Sequence, residues 1–307
     1  MEIALGLRYD HEKRSATGDV AISVGPVSLP PTITNAQLKS DQVEPRLSVT
    51  RHWTPQLMTY ASVARGYRGG GFNAPTAPIR TYKGDSAWTY EIGSKYVSPD
   101  RVFSLSGDIF YNDYSDYIGL NSIAPATGGG LVTVDLNSGD VESYGAELEA
   151  TLRPVRNWTI NGSVTYVHAR LTDSTPYTRV TGRTLSSDRL TFQPDFTGNI
   201  YSDYTIPLGG TDTLTLTGGV VAKGRRLAGT LNQTTPTFLK GYALVNTAIT
   251  YRTGPIELAV FANNLLQKDY FDAYIEKTTL QLAGLPASDL GIIGDRRRIG
   301  VRLGFRF

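Results

Sequence analysis

The sequence predicts an all-β protein, an antiparallel transmembrane β-barrel with about twelve strands present. Three observations lead there. Apolar and polar residues alternate with period 2 almost from end to end, and no long segment keeps a helical period. The connections alternate between short and long. Several strands run well beyond the five or six residues usual in soluble sheets.

The last segment is the clearest. Ile299, Val301, Leu303, Phe305 and Phe307 share one face of a strand, and Arg298, Gly300, Arg302, Gly304 and Arg306 share the other. Alone, this stripe fits a sheet over an ordinary core, a sandwich edge, or a barrel wall between lipid and a wet lumen. The other elements decide. The spacing predicts strands over about 2–10, 41–51, 57–66, 87–97, 102–119, 131–152, 157–169, 192–205, 211–223, 240–252, 255–264 and 297–307. In the first, Ile3, Leu5, Leu7 and Tyr9 alternate with Ala4, Gly6 and Arg8. The second is less regular, and Pro45 is expected to break its ladder. Later stripes include Phe103–Tyr111, Ala146–Leu152, Trp158–Tyr166 and Leu214–Val220.

Tight turns fall at 53–56, 98–101, 154–157, 207–210 and 253–255, and long connections at about 11–40, 67–86, 120–130, 170–191, 224–239 and 265–296. Such alternation places all short turns at one end of a meander, the pattern of an outer-membrane barrel. A soluble sandwich has no reason to keep it. A ten-residue strand is about 33 Å long and, tilted by about 40°, spans about 25 Å, the height of the apolar band. The polar face carries Asp108, Glu147, Glu149, Arg302 and Arg306. Those charges need water or partners, and a hydrated lumen supplies both.

Composition narrows the chemistry. The 307 residues include no cysteine, so disulfides and thiolate chemistry are excluded. His11, His52 and His168 are scattered, and no metal site or cofactor is expected. A net charge of +2 is too balanced for a nucleic-acid surface. No run of 18 apolar residues offers a transmembrane helix, which leaves a barrel open. The start, Met1-Glu2-Ile3-Ala4-Leu5, does not read as a signal peptide. An outer-membrane chain beginning here is expected to be a mature segment or a fragment.

Several stretches resemble the C-terminal barrel of TonB-dependent outer-membrane receptors of the ferric-siderophore type. They are Ala64–Asn73 with its three glycines, Trp88–Tyr96, Ser143–Ala150, Asn263–Tyr270 and Gly294–Phe307. The resemblance implies a barrel of twenty-two strands around an N-terminal plug, with residues 1–307 as its C-terminal part and the plug and first strands absent. It implies active transport of a ferric siderophore or a similar scarce solute, with no enzyme activity. Its partners would be the solute, outer-membrane lipid, and the inner-membrane TonB energising complex reached through the plug. Phe307 would be read by the barrel assembly machinery. Location is the bacterial outer membrane. A complete small passive pore is the alternative, and an outer-membrane hydrolase is a third reading.

Arg65, Tyr67, Arg68, Phe72 and Asn73 are the substrate-binding candidates. They lie where a strand meets a long loop, and two arginines with aromatics suit an anionic, planar iron chelate. The blander reading gives Gly69–Gly71 a tight backbone path and Arg65 a lumen carboxylate. Tyr111, Tyr114 and Tyr117 are expected in the interfacial aromatic girdle. Glu147 and Glu149, about 6–7 Å apart along a strand, imitate glycosidase carboxylates. They read better as lumen charges with arginine partners. Asp10, His11 and Ser15 lack an orienting scaffold for hydrolysis.

Overall fold

The alternation becomes one continuous antiparallel sheet. In the computed structural model, residues 1–20, 23–24, 27–28, 32–127, 129–228, 236–277, 281 and 288–306 are described. The strands are β1 (Glu2–Val20), β2 (Thr32–His52), β3 (Leu57–Arg68) and β4 (Asp85–Val97). Then come β5 (Phe103–Pro125), β6 (Leu131–Val155), β7 (Trp158–Asp173) and β8 (Phe196–Gly209). The last are β9 (Asp212–Lys223), β10 (Tyr242–Thr253), β11 (Ile256–Asn263) and β12 (Arg298–Phe305). All twelve pair in sequence order in one sheet, with β1 and β12 at its two ends. Among the described residues no ladder joins β1 to β12. Phe307, the expected assembly signal, lies outside the described residues.

One face of the sheet meets no protein. On β12, Ile299, Val301, Leu303 and Phe305 are 57–67% exposed. The same stripe continues as Ile256, Leu258 and Val260 on β11 and as Ile3, Leu5 and Leu7 on β1. So much bare apolar surface is stable only against lipid. The other face is polar and partnered. Glu257 accepts a bond from Arg252 (2.6 Å) and lies 3.9 Å from Arg302 and 3.8 Å from Arg306. Tyr60 donates to Glu91 across β3 and β4 (2.5 Å). Glu147 and Glu149 share this inner face, but neither makes an ion pair among the described residues.

Inner-face packing uses a repeated device. Tyr60 faces Gly93, Phe110 faces Gly145, Tyr201 faces Gly219 and Phe261 faces Gly300, each directly across a ladder. In every case the ring occupies the space where a glycine Cβ would stand. The missing side chain lets the ring lie flat on the neighbouring strand.

Turns at the short-connection end are built locally. Trp53 donates to Thr59 (2.9 Å) and stacks under Arg51. Trp158 donates to Ser202 (2.9 Å). The Ser98 hydroxyl and the Val102 N–H both donate to Asp100 and hold its carboxyl below the ordinary carboxylate range.

Two expectations need correction. The connection at 11–40 is mostly strand, because β1 and β2 stay paired from Glu2↔Thr50 to Val20↔Thr32. This extension is largely polar on both faces, so it has no amphipathic stripe; the backbone ladder orders it, with side-chain ties from His11 to Asp41 (2.7 Å) and from Arg14 to the Gly70 carbonyl (2.7 Å). Pro45 does not break β2 either, since it pairs with Leu7 without a register shift. The β2–β3 ladder ends at Arg46↔Ala64. Backbone groups of residues 43 and 45 point to the same side of the strand. The missing N–H of Pro45 therefore faces the side where β3 has already separated.

Among the described residues, buried apolar side chains form a cluster at the long-connection end. Ala77, Ala124, Val134, Leu136 and Tyr177 pack together, with Ile79 and Val132 against them. Tyr177 comes from a short helix, α1 (Thr175–Thr181), which starts with Pro176 and stops at Gly182 in the left-handed region. The sheet itself lies between lipid and water and has no core of its own. The loops and strand extensions above it make one.

Candidate functional site

The five candidate residues do not form one cluster. Alternation along β3 puts Arg65 and Tyr67 on the lipid-side face with Val63, and Arg68 on the inner face. Arg65 stands directly opposite Trp88, whose face continues as Tyr90 and Ile92. Its guanidinium donates to the Val43 carbonyl (2.8 Å) and the Ser86 hydroxyl (3.1 Å). Arg65 thus caps the carbonyl left free where β2 and β3 part. It does not reach a lumen carboxylate, because it is on the wrong face. The Tyr67 ring lies over Gly84.

Arg68 is committed to Asp85, its direct cross-strand partner. Nε donates to Oδ1 at 3.0 Å, and Nη2 bonds Oδ2. Asp85 is 4% exposed and also accepts the Ile118 N–H (3.0 Å), which ties β5 to the pair. The Tyr117 ring lies 5.7 Å from the guanidinium. These groups line a cavity of about 450 Å³ with Tyr67, Ser86 and Tyr114.

Asn73 is a clamp. Its amide donates to the carbonyls of Ile79 (3.2 Å) and Asp135 (2.8 Å) and accepts the Asp135 N–H (2.9 Å). This fastens the 69–84 loop to β6. Phe72 sits in a two-residue ladder, Gly71–Phe72 against Thr81–Tyr82. At Gly70 a Cβ would lie 2.6 Å from the Lys83 carbonyl carbon and 2.8 Å from the Gly84 nitrogen. The glycine run therefore provides the close backbone approach the loop requires.

The tyrosines divide in the same way. Tyr111 joins Tyr90 on the lipid side (6.4 Å), and Trp88 stacks on Tyr90 (6.5 Å), as a girdle requires. Tyr114 and Tyr117 leave it. They meet edge to face at 6.1 Å beside Arg68, and Asp116, with φ of 59°, breaks the alternation between them. The Asp10, His11 and Ser15 constellation is not assembled. His11 bonds Asp41 (2.7 Å), while Asp10 bonds Arg8 (3.0 Å) on the opposite face. Among the described residues no group of three His, Asp or Glu side chains is placed to hold a metal ion.

Sequence reading missed Asp85, Asp135 and Tyr117 as organisers of this end. Odd–even parity along β3 would have separated Arg65 from Arg68. Reading also missed a second cavity, about 660 Å³, between the 236–241, 268–274 and 293–296 segments.

Comparison with known proteins agrees with this architecture. The family described as TonB dependent receptor-like, beta-barrel matches residues 2–265. The pesticin receptor of Yersinia enterocolitica is 27% identical over 174 residues, covering 53% of this chain and 23% of that receptor. The ferric yersiniabactin uptake receptor FyuA from Yersinia pestis superposes with a TM-score of 0.79 at 21% identity, over 99% of this chain and 43% of that one. The closed form of the ferric-catecholate import receptor Fiu from Escherichia coli K12 gives 0.72 at 17% identity, over 99% and 42%. The chain spans about a quarter of the length of the curated relatives it matches. The strand meander, the lipid-side stripe and the family match over most of its length together establish that the chain belongs to the TonB-dependent receptor β-barrel family of the outer membrane.

Proposed function

We propose that this chain is the C-terminal twelve strands of a twenty-two-stranded barrel that takes up a ferric siderophore or a similar scarce solute. One observation carries the reading above the others: a family-matched sheet whose two end strands each keep one free edge, with no ladder joining them among the described residues. An open sheet edge is not tolerated in hydrocarbon, so β1 and β12 call for further strands between them. That supports a part of a larger barrel over a complete twelve-stranded pore. Glu147 and Glu149, which have no ion-pair partner among the described residues, suit a plug inside the lumen. Energy would reach that plug from the inner-membrane TonB complex, and Phe307 would serve barrel assembly. Relatives named as receptors for ferric yersiniabactin and ferric catecholate support the cargo class.

The test is uptake of radiolabelled ferric chelates by a host stripped of its own receptors and supplied with the full-length receptor carrying this chain. Accumulation that disappears when the TonB complex is deleted is the expected result. Equal passive entry of chelates and unrelated solutes without TonB would instead establish a pore.

A further inference from the structure

We propose that the 660 Å³ cavity at the outer end of β9–β12 is a binding site for an anionic aryl chelate, one presenting phenolate or catecholate rings. This rests on the ferric-chelate reading above and names the ligand chemistry within it.

The walls are aromatic. Phe238, Tyr242, Tyr270, Phe271 and Tyr274 all line the cavity. Tyr242 and Tyr270 stack with centroids 4.1 Å apart and planes 31° from parallel. Tyr242 stands on the inner face of β10, opposite Lys223 and in the same row as Asn246. The site therefore opens on the lumen side, where a solute passes. Flat π-surfaces suit a flat ring.

The rim is cationic. Lys240, Lys268 and Arg296 line it against one carboxylate, Asp269. None of the three cations has an ion pair among the described residues, and the nearby Asp295 is taken by Arg298 (2.9 Å). Among the lining side chains three positive charges stand against one negative, and behind them the Asp272 carboxylate is offset by Arg226, which leaves a surplus of two for a bound anion. A neutral alkyl hydroxamate complex would satisfy neither the rings nor the charges.

Arg226 supplies an independent sign. It is 2% exposed, and its Nη2 donates to the carbonyls of Phe271 (2.9 Å) and Asp272 (3.0 Å). Its Nη1 is buried and has no hydrogen-bond partner among the described residues. The guanidinium lies 5.6 Å from the Tyr242 ring, and Arg225 covers Phe238 at 3.9 Å. The charge of Arg226 is met by the Asp272 carboxylate, whose Oδ1 lies 3.9 Å from Nη2, so what stays open is the donor capacity of Nη1 and not an unpaired charge. Arg226 is thus a positioning residue that holds the Phe271 wall and offsets the Asp272 carboxylate beside the site.

The test uses the full-length receptor carrying this chain, purified in detergent, and the quenching of its intrinsic fluorescence. The probes are ferric tris(2,3-dihydroxybenzoate), anionic and aromatic, and ferric tris(acetohydroxamate), neutral and alkyl. The wild-type protein should bind the first at least tenfold more tightly, and added salt should narrow the gap. Lys268→Gln, at an exposed position that folding does not depend on, and Tyr270→Leu should each weaken the first probe fivefold or more and leave the second unchanged. Heat-modifiable migration confirms that both variants are folded. Equal affinity for the two probes, or catecholate binding unchanged in both variants, would overturn the site and leave the receptor reading standing. Failure of the catecholate probe to bind would also overturn it, and the uptake assay then judges the receptor reading separately.

Discussion

Arg68 and Asp85 face each other across β3 and β4 as a two-point ion pair, and the buried carboxylate also holds the Ile118 N–H of β5. Three strands are joined there by one acid, just where β3 leaves the ladder for the glycine-rich loop. A residue so committed is a poor ligand contact and a good hinge pin.

Asp85→Ala should therefore loosen the outer end without unfolding the sheet. The carboxylate gives up bonds to a half-exposed arginine and to one backbone N–H, which is about 2 kcal/mol locally. Trypsin reports the change, because Arg80 and Lys83 lie within the loop between Arg68 and Asp85. Cleavage there should rise at least tenfold, while heat-modifiable migration of the barrel stays unchanged. Cleavage at the wild-type rate would show that the pair has no structural weight.

Asn73→Ala separates clamping from ligand contact. Two amide bonds with Asp135 fasten the 69–84 loop to β6, and a third, to the Ile79 carbonyl, braces the loop itself. Their loss should cost about 1–3 kcal/mol of local stability. Hydrogen exchange at residues 71–82 should speed accordingly. Chelate affinity should change less than in Lys268→Gln. A larger affinity loss in Asn73→Ala, with exchange unaltered, would restore Asn73 as a binding residue.

Much of the fold was legible because period 2 is a local signal. Twelve strands and their turns follow from residues a few positions apart, such as Ile299 to Phe305. The β1–β2 extension was not legible, since its side chains are largely polar on both faces and what orders it is backbone pairing across the two strands with a few long-range side-chain bonds. The division of the candidate residues was not legible for another reason. Reading Arg65 to Asn73 as one run ignored that neighbours on a strand point to opposite sides. The true partners are also distant, with Arg68 and Asp85 separated by 17 residues and Asn73 and Asp135 by 62. The aromatic cavity draws on three separate connections, so no single stretch announces it.

Ile249→Arg tests the lipid side. Ile249 is 52% exposed in mid-strand, flanked by Leu216 and Val260. Placing a charge there should cost about 2–4 kcal/mol if lipid covers it, and about 0–1 if water does. Urea unfolding of the receptor in bilayers distinguishes the two. An unchanged midpoint would mean that this face is not the membrane face.

Gly219→Ala should strike the inner-face packing, because the new methyl would stand where the Tyr201 ring now lies. The ring has to leave its rotamer or the strands have to part, at about 1–3 kcal/mol. Tyr201→Ala removes the ring and leaves glycine bare, which also destabilises. The double variant has neither the clash nor the ring. Its loss should therefore be smaller than the sum of the single losses by about 1 kcal/mol or more, a coupling expected only of residues in contact. Strict additivity in the double-mutant cycle would mean that the facing aromatic and glycine do not pack as a pair. The same cycle at Tyr60 and Gly93 then shows whether the device repeats along the lumen wall.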